Sequence, residues 1–334
     1  MSDTKKRILS GIQPSGALTL GNYLGALRNW VELSRGDEYE AFFMLADMHT
    51  ITVRQTPKDF RKNAMDLLAL FIACGLDPEK STVFFQSHVP AHAMLSWVLI
   101  CNTYMGELSR MTQYKDKSKK HATNINAGLF TYPSLMAADI LLYQADLVPV
   151  GNDQNQHLEL TRDLANRFNN AYSETFKIPE AYNPKVGARI MSLQDPTMKM
   201  SKSDTNENGF ILLLDPLDRA ANKIKRAVTD SGSEVRRGEG KEGIENLMSI
   251  YGATTGKSFE EIEAEFEGKG YGDFKKAVAE AVVETLRPIQ ERYNDLMKNK
   301  DYLKQIYKDG AQRAGRVAMK TVSKVYRKVG FIEP

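Results

Sequence analysis

Arg7-Ile8-Leu9-Ser10-Gly11-Ile12 runs into Gln13-Pro14-Ser15-Gly16, then through Ala17-Leu18 into Thr19-Leu20-Gly21-Asn22. The segment from Arg7 to Ile12 reads as a short β-strand. Its glycines and Pro14 read as a turn in which backbone approaches a ligand closely. After Asn22 the apolar positions Tyr23, Leu24, Leu27, Trp30 and Val31 recur with helical spacing. Strand, glycine turn and helix start, in that order, hold phosphate groups through free backbone N–H groups and the helix dipole. Gly21 carries no side chain, which leaves room for a flat nucleotide, and Thr19 and Asn22 offer hydrogen bonds from one helix face. The same residues also spell an ordinary helix capped by Thr19. The stretch alone leaves both readings open.

Downstream, strand and helix signals alternate. Ala41–Ala46 is a continuous apolar run, the mark of a buried central strand, and it ends in Asp47-Met48-His49. A helix follows from Pro57, a strand at Thr82–Phe85, a helix over Ala91–Tyr104 and a strand at Leu147–Val150. This rhythm predicts an α/β fold with a doubly wound parallel sheet. Polar residues at the carboxyl ends of such strands lie where open sheets bind ligands. His49 and the run Gly151-Asn152-Asp153-Gln154 stand there, the latter just before a helix over Gln156–Asn170. Ile211–Leu214 is expected to add a last short strand. Beyond Asp215 the pattern is helical, with helices expected around Ile244–Tyr251, Phe259–Glu267, Tyr271–Lys298 and Asp301–Val329.

The chain has 334 residues, 42% hydrophobic and 26% charged, the balance of a soluble globular protein with one large or two ordinary domains. No apolar run approaches the length of a membrane span, and the first residues lack the apolar core of a signal peptide. Cys74 and Cys101 each lie in an apolar helical setting, so both are expected to be buried, reduced thiols in a cytoplasmic protein. No Cys/His cluster has zinc spacing, and a net charge of +3 does not by itself demand a nucleic-acid partner.

Three further stretches carry chemistry. Gln113–Gly128, with Lys115, Lys117, Lys119, Lys120 and His121, is long and polar for a connector; it reads as an active-site or nucleic-acid loop, or as a solvated charge run. Tyr132–Gln144 reads as a helix with Pro133 near its start, and it carries Asp139 among apolar neighbours. A carboxylate buried there needs a donor, either from a protein ion pair or from a ligand. Tyr132, Met136 and Asp139 share its face. Finally, Lys199-Met200-Ser201-Lys202-Ser203 follows Pro196 and precedes Asn206 and Gly209. It reads as an exposed loop whose ammonium and hydroxyl groups suit a polyphosphate. In the last helix Arg316, Lys320, Lys324 and Lys328, with Lys304, Lys308 and Arg313, form a basic stripe that suits RNA phosphates or simply solubility.

The pair Thr19-Leu20-Gly21-Asn22 and Lys199–Ser203, in this order around a parallel sheet, resembles the two signatures of the class I aminoacyl-tRNA synthetases. Thr19 and Asn22 replace the histidines of the common first signature, a variant similar to the tryptophanyl branch. Gly11–Gly16, Met136–Tyr143, Val148–Gln154 and Lys185–Ser192 share the likeness, which covers nearly the whole chain. The resemblance implies a Rossmann-type catalytic domain at 1–208, a helical anticodon-binding region at 209–334 whose last helix packs back on the catalytic domain, and a homodimer. It implies L-tryptophan, ATP and tRNA(Trp) as substrates, with Mg²⁺ held through the ATP phosphates. It places Asp139 on the indole N–H, Met136 on the indole ring, Tyr132 and Gln154 at the amino-acid end, and His49 at the pocket edge. ATP would meet Gln13, Thr19, Gly21, Asn22, Gly151, Asp153 and the loop Lys199, Met200, Ser201, Lys202 and Ser203. Lys115, Lys199 and Lys202 would act on the phosphates.

Such a reaction needs little proton transfer, because the attacking carboxylate is already an anion; it needs alignment and charge stabilisation. A site rich in Lys, Ser, Thr and Asn agrees with that. The alternatives are a tyrosyl enzyme of the same architecture, a small-molecule nucleotidyltransferase, and a non-catalytic RNA-binding protein on a synthetase scaffold. An indole N–H needs only one acceptor, whereas a phenol both donates and accepts. The single acceptor on the Met136–Asp139 face favours tryptophan.

Overall fold

In the computed structural model, which describes residues 5–115, 125–151, 154–182 and 189–332, five strands form one parallel sheet. They are β1 (Lys6–Ile12), β2 (Tyr39–Leu45), β3 (Thr82–Phe85), β4 (Leu147–Pro149) and β5 (Glu180–Tyr182), in the order β3-β2-β1-β4-β5. Ile8 pairs with Ala41 on one side and with Leu147 on the other. The winding therefore reverses between β1 and β4, and the crevice at their carboxyl ends is where this Rossmann-type arrangement receives ligands. The doubly wound expectation holds, but its fifth strand does not. Ile211–Leu214 is not in the sheet: its backbone clamps the turn, with Leu20 N–H donating to Ile211 O (2.8 Å) and Leu213 N–H to Leu18 O (2.9 Å). Glu180–Tyr182 takes the edge instead, too short and too polar to stand out in a pattern of apolar runs.

Helices cover both faces. On the side of Ala41, Phe43 and Leu45 lie α1 (Leu20–Asn22), a π turn (Tyr23–Leu27), α2 (Arg28–Arg35) and, after the short α3 (Asp47–Thr50), α4 (Pro57–Ala73). Trp30 stacks on Phe43 at 5.0 Å and meets Phe71 edge-on. The opposite face, with Leu9, Phe42 and Met44, is covered by α5 (Ala91–Cys101), α7 (Ala127–Leu142) and α8 (Asn155–Ala171), with α6 (Met105–Ser109) between the first two. Burial on both faces explains why β2 is apolar at successive positions rather than alternating. α5 stops at Cys101, short of Tyr104, and Cys101 ends up exposed while Cys74 is buried. The thiol expectation is thus half right, because the last residue of α5 faces away from the sheet. α7 begins at Ala127, capped by the Asn126 side chain on Leu129 N–H, so Pro133 sits inside the helix rather than at its start.

The helical remainder comprises α9 (Leu217–Lys225), α10 (Glu242–Thr255), α11 (Phe259–Glu265), α12 (Tyr271–Lys298) and α13 (Lys300–Val329). α12 is bound to the first half by Tyr293 O–H on Asp66 (2.9 Å) and by Gln290, which donates to Leu213 O and Asp215 O. α13 returns to the sheet. Ala314, Ala318, Val322 and Val325 join the core beneath α5 and α7, and Thr321 O–H donates to Leu142 O (2.7 Å). This packing claims part of the basic stripe. Arg313 donates to Pro78 O and Ser81 O, and Lys328 to Glu174 O and Thr175 Oγ1, whereas Arg316, Lys320 and Lys324 are exposed. Gly310 lies against β3, where a Cβ would collide with the Val83 carbonyl oxygen. Gly310→Ala is therefore expected to destabilise the chain by about 1–3 kcal/mol through overpacking, read as a lowered urea midpoint at unchanged slope.

Candidate active site

The first signature folds as a capped helix start. Thr19 accepts from Asn22 N–H (3.2 Å), Asn22 Oδ1 accepts from Thr19 N–H (3.0 Å), and the Thr19 hydroxyl also reaches Asn22 Oδ1 (2.9 Å). Thr19 is 1% exposed. Its hydroxyl is engaged in the cap, as the helix-start reading expected. Gly11 lies within β1, packed against Met44 of β2, and owes its small size to that neighbour rather than to a ligand. Gly16 does have a turn role. Its φ is +135°, and a Cβ there would come within 2.9 Å of Lys202 Nζ. Gln13 stands exposed at the end of β1.

The lysine loop grows from an antiparallel pairing of Ile190–Ser192 with Met198–Met200. Ser192 N–H donates to Met198 O (2.7 Å) and Met200 N–H to Ile190 O (3.0 Å). Asn246 of α10 grips Met191 through both its N–H and its carbonyl. Ser192 O–H donates to Asp204 Oδ2, and Gly209 leaves the space that this carboxylate fills. Met200 is 4% exposed and lies with Ile190 against Gly21. Met200 is thus buried packing within the loop, and its side chain and that of Ile190 lie within ordinary van der Waals reach of Gly21. The two signatures are thereby in direct contact. Lys202 Nζ donates to Ser15 Oγ (3.1 Å), placing an ammonium over the glycine turn. The side chain as a whole is exposed, but its ammonium end lies against the turn, and this loss of water lowers its pKa. Lys199 and Ser203 are exposed, and Ser201 and Ser203 bond each other through their hydroxyls (2.8 Å).

Across the sheet, on α7, Asp139 is 2% exposed and fully engaged with donors. His49 Nε2 meets Oδ2 at 2.7 Å, while Gln86 Nε2 and His92 Nδ1 meet Oδ1 at 2.7 and 2.6 Å. His92 Nε2 lies 2.8 Å from Tyr143 Oη. An ionised carboxylate only accepts, so the chain runs Tyr143 O–H to His92 Nε2 and His92 Nδ1–H to Asp139. Burial would raise the Asp139 pKa, but the two histidines outweigh it and hold it down to about 2. Burial and the Asp139 charge push the Tyr143 phenol well up, so it remains a donor. His49 sits in α3, directly after β2, its ring edge-on to Tyr132 at 6.1 Å. Tyr132 Oη lies 2.8 Å from His157 Nε2 and donates to Gln113 Oε1 (3.3 Å).

The fold therefore brings His49, Tyr132, Met136 and Asp139 into one neighbourhood beside the carboxyl ends of β2 and β3. Lys202, Ser15, Gly16, Gly21 and Asn22 gather at the end of β1. Gly151 follows β4 and is exposed, and Gln154 stands at the start of α8. Lys115 lies just before residues 116–124; these, with Lys117, Lys119, Lys120, His121, Asp153 and Lys185–Gly187, fall outside the described residues. Gln86, His92, Tyr143 and His157 escaped the reading of the sequence. Gln86 stands directly after β3, so the strand-end rule that flagged His49 also applied to it. His92 and Tyr143 carried no signal, because each looked like a single polar residue in an apolar helix.

Compared with known proteins, residues 1–287 match the family profile of the class I tRNA synthetases (W and Y). A tryptophan--tRNA ligase of Clostridium tetani is 58% identical over 99% of this chain and 98% of its own length. Among solved structures, the tryptophanyl-tRNA synthetase of Mycoplasma pneumoniae superposes with a TM-score of 0.91 at 39% identity, covering 98% of this chain and 99% of that one. The Campylobacter jejuni tryptophanyl-tRNA synthetase, solved with ADP and tryptophan, gives 0.82 at 35% identity over 97% of this chain and 100% of that one. With its two signatures packed against each other on a β3-β2-β1-β4-β5 sheet, this chain belongs to the class I aminoacyl-tRNA synthetases of the tryptophan and tyrosine group.

Proposed function

We propose that this chain joins L-tryptophan to ATP, releasing pyrophosphate, and passes the tryptophanyl group of the adenylate to tRNA(Trp). The observation that carries this reading is the 58% identity, over nearly the full length of both chains, to a tryptophan--tRNA ligase. In the first step a carboxylate oxygen of tryptophan forms a bond to the α-phosphorus as the bond to the pyrophosphate oxygen breaks. In the second, a terminal ribose hydroxyl of the tRNA takes the acyl group and AMP leaves.

Asp139 suits the indole. A carboxylate offers about four acceptor positions, and three protein donors use three of them. The remaining one takes a group that only donates, as indole N–H does. His49, Gln86 and His92 hold the carboxylate still and ionised, so it waits as an acceptor at any physiological pH. Met136 and Tyr132 would flank the ring, with Gln154 at the amino-acid end. Gln13, Asn22, Gly151 and Asp153 would meet the nucleotide, and Lys199, Lys202, Ser201, Ser203 and Lys115 the phosphates. Among the described residues no group of three His, Cys, Asp or Glu side chains is placed to hold a metal. Mg²⁺ in this reading arrives on the oxygens of ATP and spreads the charge of its phosphates.

The region from 209 onward is the part we assign to the anticodon, with exposed Arg316, Lys320 and Lys324 as cations toward tRNA. A homodimer has support in an exposed apolar patch. Trp97, Tyr104 and Met105 are 65%, 64% and 69% exposed, more large apolar surface than one short stretch leaves in water without a partner. Trp97→Glu is expected to turn the dimer into a monomer by sedimentation, with the fold retained by circular dichroism. No helix of the described residues is long and apolar enough to cross a membrane, and the reading sets the reaction in the cytoplasm.

Pyrophosphate exchange into ATP, run with tryptophan and tyrosine side by side, tests the assignment. Tryptophan alone should drive it. Exchange driven by tyrosine instead would make this a tyrosyl enzyme, and tight tRNA binding without exchange would leave an RNA-binding protein on the same scaffold.

A further inference from the structure

A second cleft, of about 360 Å³, opens beside the first helix. Its walls come from the π turn and α2, the end of α4, α10 and α12. Arg28, Arg35 and Arg292 line it, with Glu32 as the one acid. Three guanidinium groups against one carboxylate leave a charge of +2 (3 − 1). Glu32 pairs with Arg28 at 3.5 Å, and Arg28 also donates to the Ala253 carbonyl. Among the described residues neither Arg35 nor Arg292 has an acidic partner. The remaining lining is in part apolar, where Val31, Cys74 and Ile289 are 4%, 8% and 3% exposed. Tyr23 adds a phenol at the mouth, and burial raises its pKa, so it keeps its proton to donate.

Arg35 and Arg292, both exposed, line this one cleft without an acidic partner among the described residues, so an oxyanion there would meet two guanidinium groups. Guanidinium groups match phosphate oxygens in pairs of parallel hydrogen bonds. A phosphate monoester carries about two negative charges near pH 7, the complement of the surplus here. A phosphodiester of an RNA backbone carries one and continues at both ends, which suits an open track rather than a cleft of this size. The volume lies at the small end of ligand pockets. We propose that this cleft binds a small phosphate monoester, its phosphate between Arg35 and Arg292 and its organic part against Val31, Cys74 and Ile289. Such a ligand would bridge the first helix, which begins with the signature residues Thr19–Asn22, to α10 and α12 of the helical region. It would bind apart from the nucleotide and steady that joint.

Calorimetric titration of the full-length protein with phenyl phosphate tests this, with inorganic phosphate as the fragment lacking an apolar part. Both are titrated at constant ionic strength. Phenyl phosphate should bind more tightly than inorganic phosphate. Its binding should persist in Lys199→Ala/Lys202→Ala, which disables the nucleotide-side lysines, and weaken by about tenfold or more in Arg35→Gln/Arg292→Gln. In the unsubstituted protein it should also raise the melting temperature above that in chloride of equal ionic strength. Binding lost with the lysines and kept without the arginines would overturn the proposal, as would no binding at all. Weakened tRNA binding in the arginine variant, with phenyl phosphate inert, would give the cleft to RNA backbone and equally end it.

Discussion

Lys202→Ala is expected to slow adenylate formation by about 10²- to 10³-fold, while tryptophan binds as before. The reason lies in where the ammonium is held. It reaches Ser15 over the Gly16 turn, at the end of the site we assign to the phosphates. As the bond to the leaving pyrophosphate breaks, negative charge gathers on its oxygens. A cation fixed there gains interaction energy in the transition state that it does not have with bound substrates, and only such a gain raises the rate. Its pKa is lowered by desolvation, which marks a charge already stripped of part of its water and ready for an anion. The measurement is pyrophosphate exchange at varied tryptophan and ATP, with tryptophan affinity read separately by fluorescence. A fall in kcat with the tryptophan KM unchanged is the expected result. Equal losses in both would show that Lys202 only organises the site. Lys202 is exposed, so the variant should fold normally.

Asp139→Asn is expected to damage tryptophan binding and stability together. The amide keeps one acceptor oxygen but turns an NH₂ toward groups that are themselves donors. His49, Gln86 and His92 converge on this one carboxylate, and each donor left unpaired in the interior costs about 1–3 kcal/mol. Tryptophan affinity should fall by about tenfold or more, because the indole N–H loses its charged acceptor. The pH dependence gives a second readout. In the folded chain the Asp139 carboxyl titrates at about 2, below its ordinary value of 3.8. A depressed pKa means that the contribution is present in full above 3.8 and is lost as pH falls toward 2 and below. The difference amounts to about 2 kcal/mol. Urea unfolding followed from pH 5 down to pH 2 should show the unsubstituted chain losing this extra stability, and the variant should not. Parallel pH curves would contradict the network, and unchanged tryptophan affinity would remove Asp139 from the pocket.

Legibility differed between the two parts of the site. The phosphate side was readable because its parts are contiguous: a strand, a glycine turn, a helix start, and a loop of alternating lysines and serines. What pattern alone could not reveal was how these parts use each other. Thr19 and Asn22 satisfy one another, Gly21 faces Met200, and Gly16 lies beneath Lys202. In sequence both readings stood open for them, since a small or polar residue serves a ligand and a neighbouring segment equally well. The network around Asp139 was the reverse. Its need for a donor was plain from one carboxylate in an apolar helix, but the donors come from three other segments, at His49, Gln86 and His92.

By itself the sequence determined the parallel sheet, most of its strands and helices, and the place of both signatures, because backbone periodicity and turn chemistry are local. Only the tertiary structure decided the edge strand, the partners of Asp139, and the contacts of Gly310 and Thr321 by which α13 seats on the sheet. It also decided which lysines and arginines of that helix remain open to solvent. These depend on which distant surfaces meet. A buried polar group records in sequence only that it must be satisfied, and the fold chooses by what.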